Sequence, residues 1–321
     1  MALRRRNLRV LSRAALLLLL LVACGSRTGL FIDGAPGPLN DAGSDGPRFD
    51  SGRDGPIGDA LPPIDARPPQ DVVRNDCPDA DATLVYVVTT EQELFSFFPT
   101  DGSFKFIGNL VCPAPAGETP FSMAVDRKGV AYVMFTDEHL YRVSTLNAAC
   151  VQTPFLPRQS NFGLFGMGFA TDTLGPSETL YVAGDARNNS SAGLARIDVT
   201  KFKLTPVGNF SPTIDRAELT GTGDGRLFAF YTKGNDSPPS FIGEIATGTA
   251  KVIAENRFDT VDQGQGWAFA FWGGDFYMFT APDGVSSTVT RFRLTDNSVT
   301  VVGNLATRIV GAGVSTCAPQ Q

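Results

Sequence analysis

WAFAFWGGDFYMFT, residues 267–280, reads as a strand, a two-glycine turn and a second strand. In the first strand small residues alternate with large ones. That alternation recurs in SMAVD (122–126), GMGFA (166–170), LTGTG (219–223) and GAGVS (311–315), with AFAFW (268–272) as the fourth of the five. Their first residues lie 44, 53, 49 and 43 positions apart. Four of them precede a second apolar strand: VAYVMF (130–135), TLYVAG (179–184), RLFAFY (226–231) and DFYMFT (275–280). A third follows in LYRVST (140–145), LARIDV (194–199), FIGEIA (241–246) and TRFRLT (290–295). Units close on a fourth, as in TPVGNF (205–210) and VTVVGN (299–304).

Four strands per 43 to 53 residues is the blade of a β-propeller. Inner strands crowd around the axis, which is a steric reason for Gly, Ala, Ser and Thr at alternate positions of the first strand. GAGVS has no strands after it. Its missing partners stand at the other end of the folded region, in VYVVTT (85–90), LFSFFP (94–99) and FKFIGN (104–109). The reading is therefore all-β: a propeller of five four-stranded blades over residues 77–321, closed by pairing its N- and C-terminal strands. A β-sandwich and a six-bladed ring are the alternatives.

Composition agrees. The 321 residues include 34 Gly, 22 Pro and 24 Phe with 19% charged residues, which suits short strands and turns better than long helices. From Gly25 to Asp76 the chain is rich in Gly, Pro, Asp and Ala and has no hydrophobic period, so it is expected to be a disordered linker. Its Asp/Gly-rich stretch 41–55 lacks the bidentate Glu that a calcium loop requires. No metal and no cofactor is expected.

Residues 1–23 have the layout of a signal peptide. Five arginines (Arg4, Arg5, Arg6, Arg9, Arg13) precede an apolar run, Ala14 to Val22, with six consecutive leucines from Leu16 to Leu21. As a helix that run reaches roughly 14 Å, against a hydrocarbon core of about 30 Å. It ends in Leu21-Val22-Ala23-Cys24-Gly25, which resembles the bacterial lipobox. The resemblance implies cleavage before Cys24 and acylation of its thiol, giving a membrane partner through a lipid anchor. The absence of Asp after the Cys implies the outer membrane of the cell envelope, periplasmic or surface-exposed. No acidic residue precedes Cys24. The processed chain thus has 22 basic and 33 acidic residues, a net charge of −11, which excludes the positive footprint of a nucleic-acid binder.

Four cysteines follow Cys24, and in an exported protein an even number points to disulfides, here with three pairings to choose from. Ring closure favours Cys77 with Cys317, which sit on either side of the missing hairpin of the first blade. Cys112 and Cys150 then pair by elimination, if the loop from Val111 to Thr119 folds back.

Candidates for chemistry are few. The single histidine, His139, falls in a turn between strands and suits no triad. GTGDG (221–225) has no helix after it to bind a phosphate. Three carboxylates at inner strands, Asp126, Glu218 and Asp224, are the residues a glycoside-cleaving enzyme would use, and each also fits a turn or structural role. Trp267 and Trp272 flank an inner strand, and one or both are candidates to face the axis and stack on a ligand; interblade packing is the plainer role. The expected function is a binding or scaffolding module for an envelope protein or glycan, with a carbohydrate-active enzyme using the axial carboxylates as the alternative.

Finally, PFSMAVDRKGVAYV (120–133), AELTGTGDGRLFAF (217–230), WAFAFWGGDFYMFTAP (267–282), IVGAGVSTCAP (309–319) and the leading CGSRTGL (24–30) resemble myxobacterial-type lipoproteins. The resemblance implies a lipoprotein bearing a propeller, and brings neither an activity nor functional residues.

Overall fold

A computed structural model describes residues 60–66, 84–172, 177–185, 193–234 and 237–321. Cys24, Cys77 and the signal segment lie outside them. The strands occur where the alternation places them. Blade 1 has β1 (Val85–Thr89), β2 (Glu93–Phe98) and β3 (Ser103–Asn109); blade 2 has β4 (Pro120–Val125), β5 (Val130–Phe135), β6 (Leu140–Ser144) and β7 (Cys150–Gln152). Blade 3 has β8 (Phe165–Thr171), β9 (Glu178–Gly184), β10 (Gly193–Asp198) and β11 (Lys203–Asn209). Blade 4 has β12 (Asp215–Gly221), β13 (Leu227–Thr232), β14 (Ser240–Ala246) and β15 (Lys251–Phe258). Blade 5 has β16 (Trp267–Trp272), β17 (Asp275–Thr280), β18 (Ser287–Arg293) and β19 (Val299–Leu305). The last strand, β20 (Ile309–Val314), completes blade 1 in the order β20-β1-β2-β3, pairing Val85 with Val314 and Val87 with Ala312. Five four-stranded antiparallel sheets result, and the two ends of the folded chain share one of them.

The two-glycine turn behaves as its sequence demands. Gly273 and Gly274 have φ of 61° and 79°, the left-handed pair of a tight hairpin whose twist matches its strands. The motif LTGTG differs from its strand: β12 starts at Asp215 and ends at Gly221, because Thr222 to Arg226 form the following turn. The outer strand β15, KVIAENRF, is weakly marked in sequence because Glu255, Asn256 and Arg257 interrupt its alternation.

The small residues are explained by contact between blades. A Cβ on Gly166 would lie 2.0 Å from the Ala217 carbonyl oxygen, and one on Gly221 would lie 2.2 Å from that of Phe169. Thus β8 and β12 run side by side in parallel at backbone distance. Hydroxyls tie other neighbours together. Met167 N donates to Ser122 Oγ (3.1 Å) and Phe271 N to Thr220 Oγ1 (3.1 Å). Larger residues of the same strands fill five apolar clusters, each between two adjacent blades.

The Cys112–Cys150 disulfide is present, with Cα atoms 4.9 Å apart. The connection after β3 folds back to allow it, burying Leu110 among the side chains between blades 1 and 2. Cys317 is also disulfide-bonded; Cys77, the partner expected for it, is outside the described residues.

One segment departs from expectation. Ala60 to Ala66 belong to the stretch read as a disordered linker, yet they are seated on blade 4. Glu255 N donates to Pro62 O (2.8 Å) and Ile64 N to Asn256 Oδ1 (3.0 Å), along the otherwise open edge of β15. Leu61 packs toward the blade 3–4 cluster and Ile64 enters the blade 4–5 cluster. Two apolar anchors in a polar stretch, presented by an extended Pro62-Pro63 backbone, are enough to cover a sheet edge.

Candidate functional site

The axis is full. The void between the first strands, bounded by Ala124, Met167, Gly168, Thr220 and Gly313, has no room for a water molecule. The close approach that the glycines permit leaves this void no space for a ligand. Function has to be sought at the two ends.

Where the inner strands finish, Arg127 spans three blades. Its Nε donates to Thr316 Oγ1 (2.8 Å) and its Nη2 to Thr171 Oγ1 (2.8 Å). Its backbone N–H donates to Glu178 Oε1 (2.7 Å), and Thr316 Oγ1 donates to Glu178 Oε2 (2.9 Å). Burial lifts the Glu178 carboxyl to about 7, against the lowering effect of these donors and of the Arg127 charge. The folded state therefore holds a proton that the unfolded chain has released, so stability falls as pH rises from about 4.5 toward 7. At about 1.4 kcal/mol per unit the full effect is about 3 kcal/mol. Denaturant titrations at pH 5 and pH 8 are expected to differ less for Glu178→Gln than for the wild type; an equal difference would refute the assignment.

Glu218 is buried in β12, level with the upper part of β4. Ser122 Oγ donates to its Oε2 (2.7 Å), and the Met167 N–H also reaches it. Burial without a cation, close to Asp185, pushes its carboxyl well above the usual range. Asp126 lies four residues below Ser122, about 13 Å along the strand at about 3.3 Å per residue. There its Oδ1 accepts from Lys128 N (2.8 Å) and Val130 N (2.9 Å), closing a turn. Asp224 accepts from Thr222 Oγ1 in the corresponding turn of blade 4. Glycoside cleavage needs two carboxylates about 5 to 9.5 Å apart across a sugar. The fold does not bring these three together.

Of the two tryptophans, Trp272 packs into the apolar cluster between blades 5 and 1, opposite Asp275 in its hairpin. Trp267 opens the other end of β16 and lies at the mouth of the axis. There it meets Phe121 of blade 2 edge-on (centroids 6.4 Å apart), across the ring, while the Arg216 guanidinium lies over the indole, 3.9 Å from its centroid. Arg216 Nη2 donates to Gly264 O (3.2 Å). Beside them Arg308 Nη1 reaches Gln265 Oε1 at 3.4 Å, and the Arg308 stem lies over Gly266, where a Cβ would be 2.6 Å from Cγ.

The mouth has an unusual polar balance. Gln263 is completely buried, yet neither its Nε2 nor its Oε1 has a hydrogen-bond partner. The same is true of the buried Thr307 Oγ1 and Arg308 Nε. Buried polar atoms are almost always paired, since an unpaired one costs about 1–3 kcal/mol. These four atoms belong to the two connections that enter β16 and β20. Residues Phe121, Arg216, Gln263, Thr307 and Arg308 carry no sequence signal of their own; a place at or just before the start of an inner strand was the hint.

The opposite end carries a cleft of about 440 Å³ between blades 4 and 5, lined by Asp224, Arg226, Phe271, Asp275, Arg293 and Leu294. Its charges already compensate one another. Arg226 Nη2 pairs with Glu244 Oε2 (2.7 Å) and Asp65 Oδ1 (2.8 Å), and Arg293 faces Asp275 (3.6 Å) and Asp296 (3.7 Å). His139 stays in its turn, with Nδ1 3.2 Å from Asp137 Oδ2. Among the described residues no three His, Cys, Asp or Glu side chains converge as a metal site.

Fold and mouth together define the class: a five-bladed β-propeller with a sealed axis and an aromatic, guanidinium-bearing entrance. No family model matches the chain, and no curated protein matches it. Among solved structures it is similar to one titled "Structure of Dos1 propeller", at 12% identity over 74% of this chain and 70% of that one, with a TM-score of 0.39.

Proposed function

We propose that this protein is an envelope lipoprotein, anchored by acylated Cys24 to the outer membrane, whose propeller binds a saccharide at the mouth of its axis. The observation that carries the reading is the set of unpaired buried polar atoms in the two connections that enter β16 and β20, the first of which leads into Trp267. An aromatic edge and face supplied by Phe121 and Trp267 suit the C–H surface of a sugar ring. Thr307 offers a hydroxyl and Arg308 guanidinium donors, a complement for a polyhydroxylated ligand. Binding without turnover is favoured because neither Asp126 nor Asp224 stands near Glu218.

Calorimetry against oligosaccharides from bacterial envelopes tests the reading. The wild type is expected to bind at least one, and Trp267→Ala to weaken it tenfold or more, about 1.4 kcal/mol. Failure of every saccharide would end the proposal. Hydrolysis abolished by Glu218→Gln would replace it with the enzymatic alternative. For the anchor, Cys24→Ser is expected to move the protein from the membrane to the soluble fraction of cells; unchanged fractionation would remove the lipid from the account.

A further inference from the structure

Resting on the saccharide reading, we propose that the ligand is acidic: a uronic-acid saccharide whose carboxylate is held by Arg308. Arg308 stands at the entry to β20, and its position is fixed from both sides. Its carbonyl accepts from Thr90 N (2.9 Å), and the next residue's N–H donates to Ser287 Oγ (2.8 Å). The stem is pressed against the glycine backbone of the 264–266 loop, so the guanidinium is delivered to one place with little freedom left to lose.

That guanidinium differs from six others among the described residues. Arg127, Arg158, Arg226, Arg257, Arg291 and Arg293 each face a carboxylate within 4 Å. Among the described residues no carboxylate lies within 4 Å of Arg308, its Nε is buried without a hydrogen-bond partner, and the polar contact its guanidinium makes is the long 3.4 Å approach to Gln265. A desolvated N–H of a permanent cation is among the least tolerable groups to leave unmade. A ligand carboxylate satisfies it twice over, since the Nε and Nη donors of arginine match two carboxylate oxygens in one plane. Thr307 Oγ1, unpaired on the neighbouring residue, is a further donor for the same group. Arg216 is the second cation at this mouth, on the other side of the 264–266 loop. These two cations stand on a chain of net negative charge, which would otherwise repel an acidic ligand.

The experiment uses the full folded chain and a panel of galacturonate, glucuronate and mannuronate oligosaccharides, each beside its methyl ester. The ester keeps the ring and hydroxyls and removes only the charge. At least one acid is expected to bind tenfold or more tightly than its ester, with affinity falling between 50 and 500 mM salt. Arg308→Gln is expected to abolish that preference and Arg308→Lys to restore part of it, with thermal melts confirming that both variants fold. Equal affinity for acid and ester, or a preference that survives Arg308→Gln, overturns the acidic ligand while leaving saccharide binding intact. Should Arg308→Gln fail to fold, a salt-insensitive acid affinity in the wild type overturns it equally. If neither acids, esters nor neutral sugars bind, the saccharide reading itself is what has failed.

Discussion

Gly166→Ala is expected to destabilise the protein by about 3 kcal/mol or more, with a melting temperature lower by about 6–12 °C. The added methyl would lie 2.0 Å from the Ala217 carbonyl oxygen and 2.9 Å from both Ala217 C and Glu218 Cα. Those are backbone atoms, so no rotamer change relieves the overlap. β8 and β12 would have to part by more than 1 Å at the point where Ser122, Met167 and Glu218 connect three blades. Gly248→Ala is the control: a Cβ there meets nothing within 4 Å, and its effect should stay within about 0.5 kcal/mol. Urea denaturation of the pair settles the matter. Equal stability of the two variants would mean that the inner strands are not packed at backbone distance.

Phe276→Ala is expected to have an effect of similar size, about 3–5 kcal/mol. Phe276 is fully buried in β17, and its ring centroid lies 4.8 Å from that of Phe228, 5.2 Å from Phe271 and 5.3 Å from Phe269. The contact with Phe228 reaches across to blade 4 and the other two stay within blade 5, so truncation leaves a cavity that neither rigid sheet can collapse into. Phe106→Ala makes the comparison sharp. That ring is 50% exposed on the outer strand β3, and its loss should amount to about 1 kcal/mol or less. A Phe276→Ala variant no weaker than Phe106→Ala would show that the interblade cluster is not what holds these blades together.

Strand positions were legible in the residues alone, and so was the ring. A half-buried strand imposes a period of two, and blades of nearly equal size impose a period near fifty, so local pattern carries global architecture when the architecture repeats. GAGVS at 311–315 could be recognised as the missing strand of the first blade because the repeat left it without partners. Trp267 was singled out by its place beside an inner strand, and it does stand at the mouth.

The rest required the assembled molecule. Glu218, Asp126 and Asp224 look equivalent as inner-strand carboxylates, but their separation along the axis depends on how parallel strands of different blades are levelled against each other. Leu61 and Ile64 sit in a stretch whose composition says linker, and only the shape of the grooves beside blade 4 gives two isolated apolar residues somewhere to go. The mouth brings Phe121 within reach of Trp267 and places Arg216 and Arg308 around one loop, residues as far as 187 positions apart. Each stands at or just before the start of a different inner strand, and the period within a strand does not say which starts will meet. Their meeting is a product of blade packing, to which the order of residues within any single strand is blind.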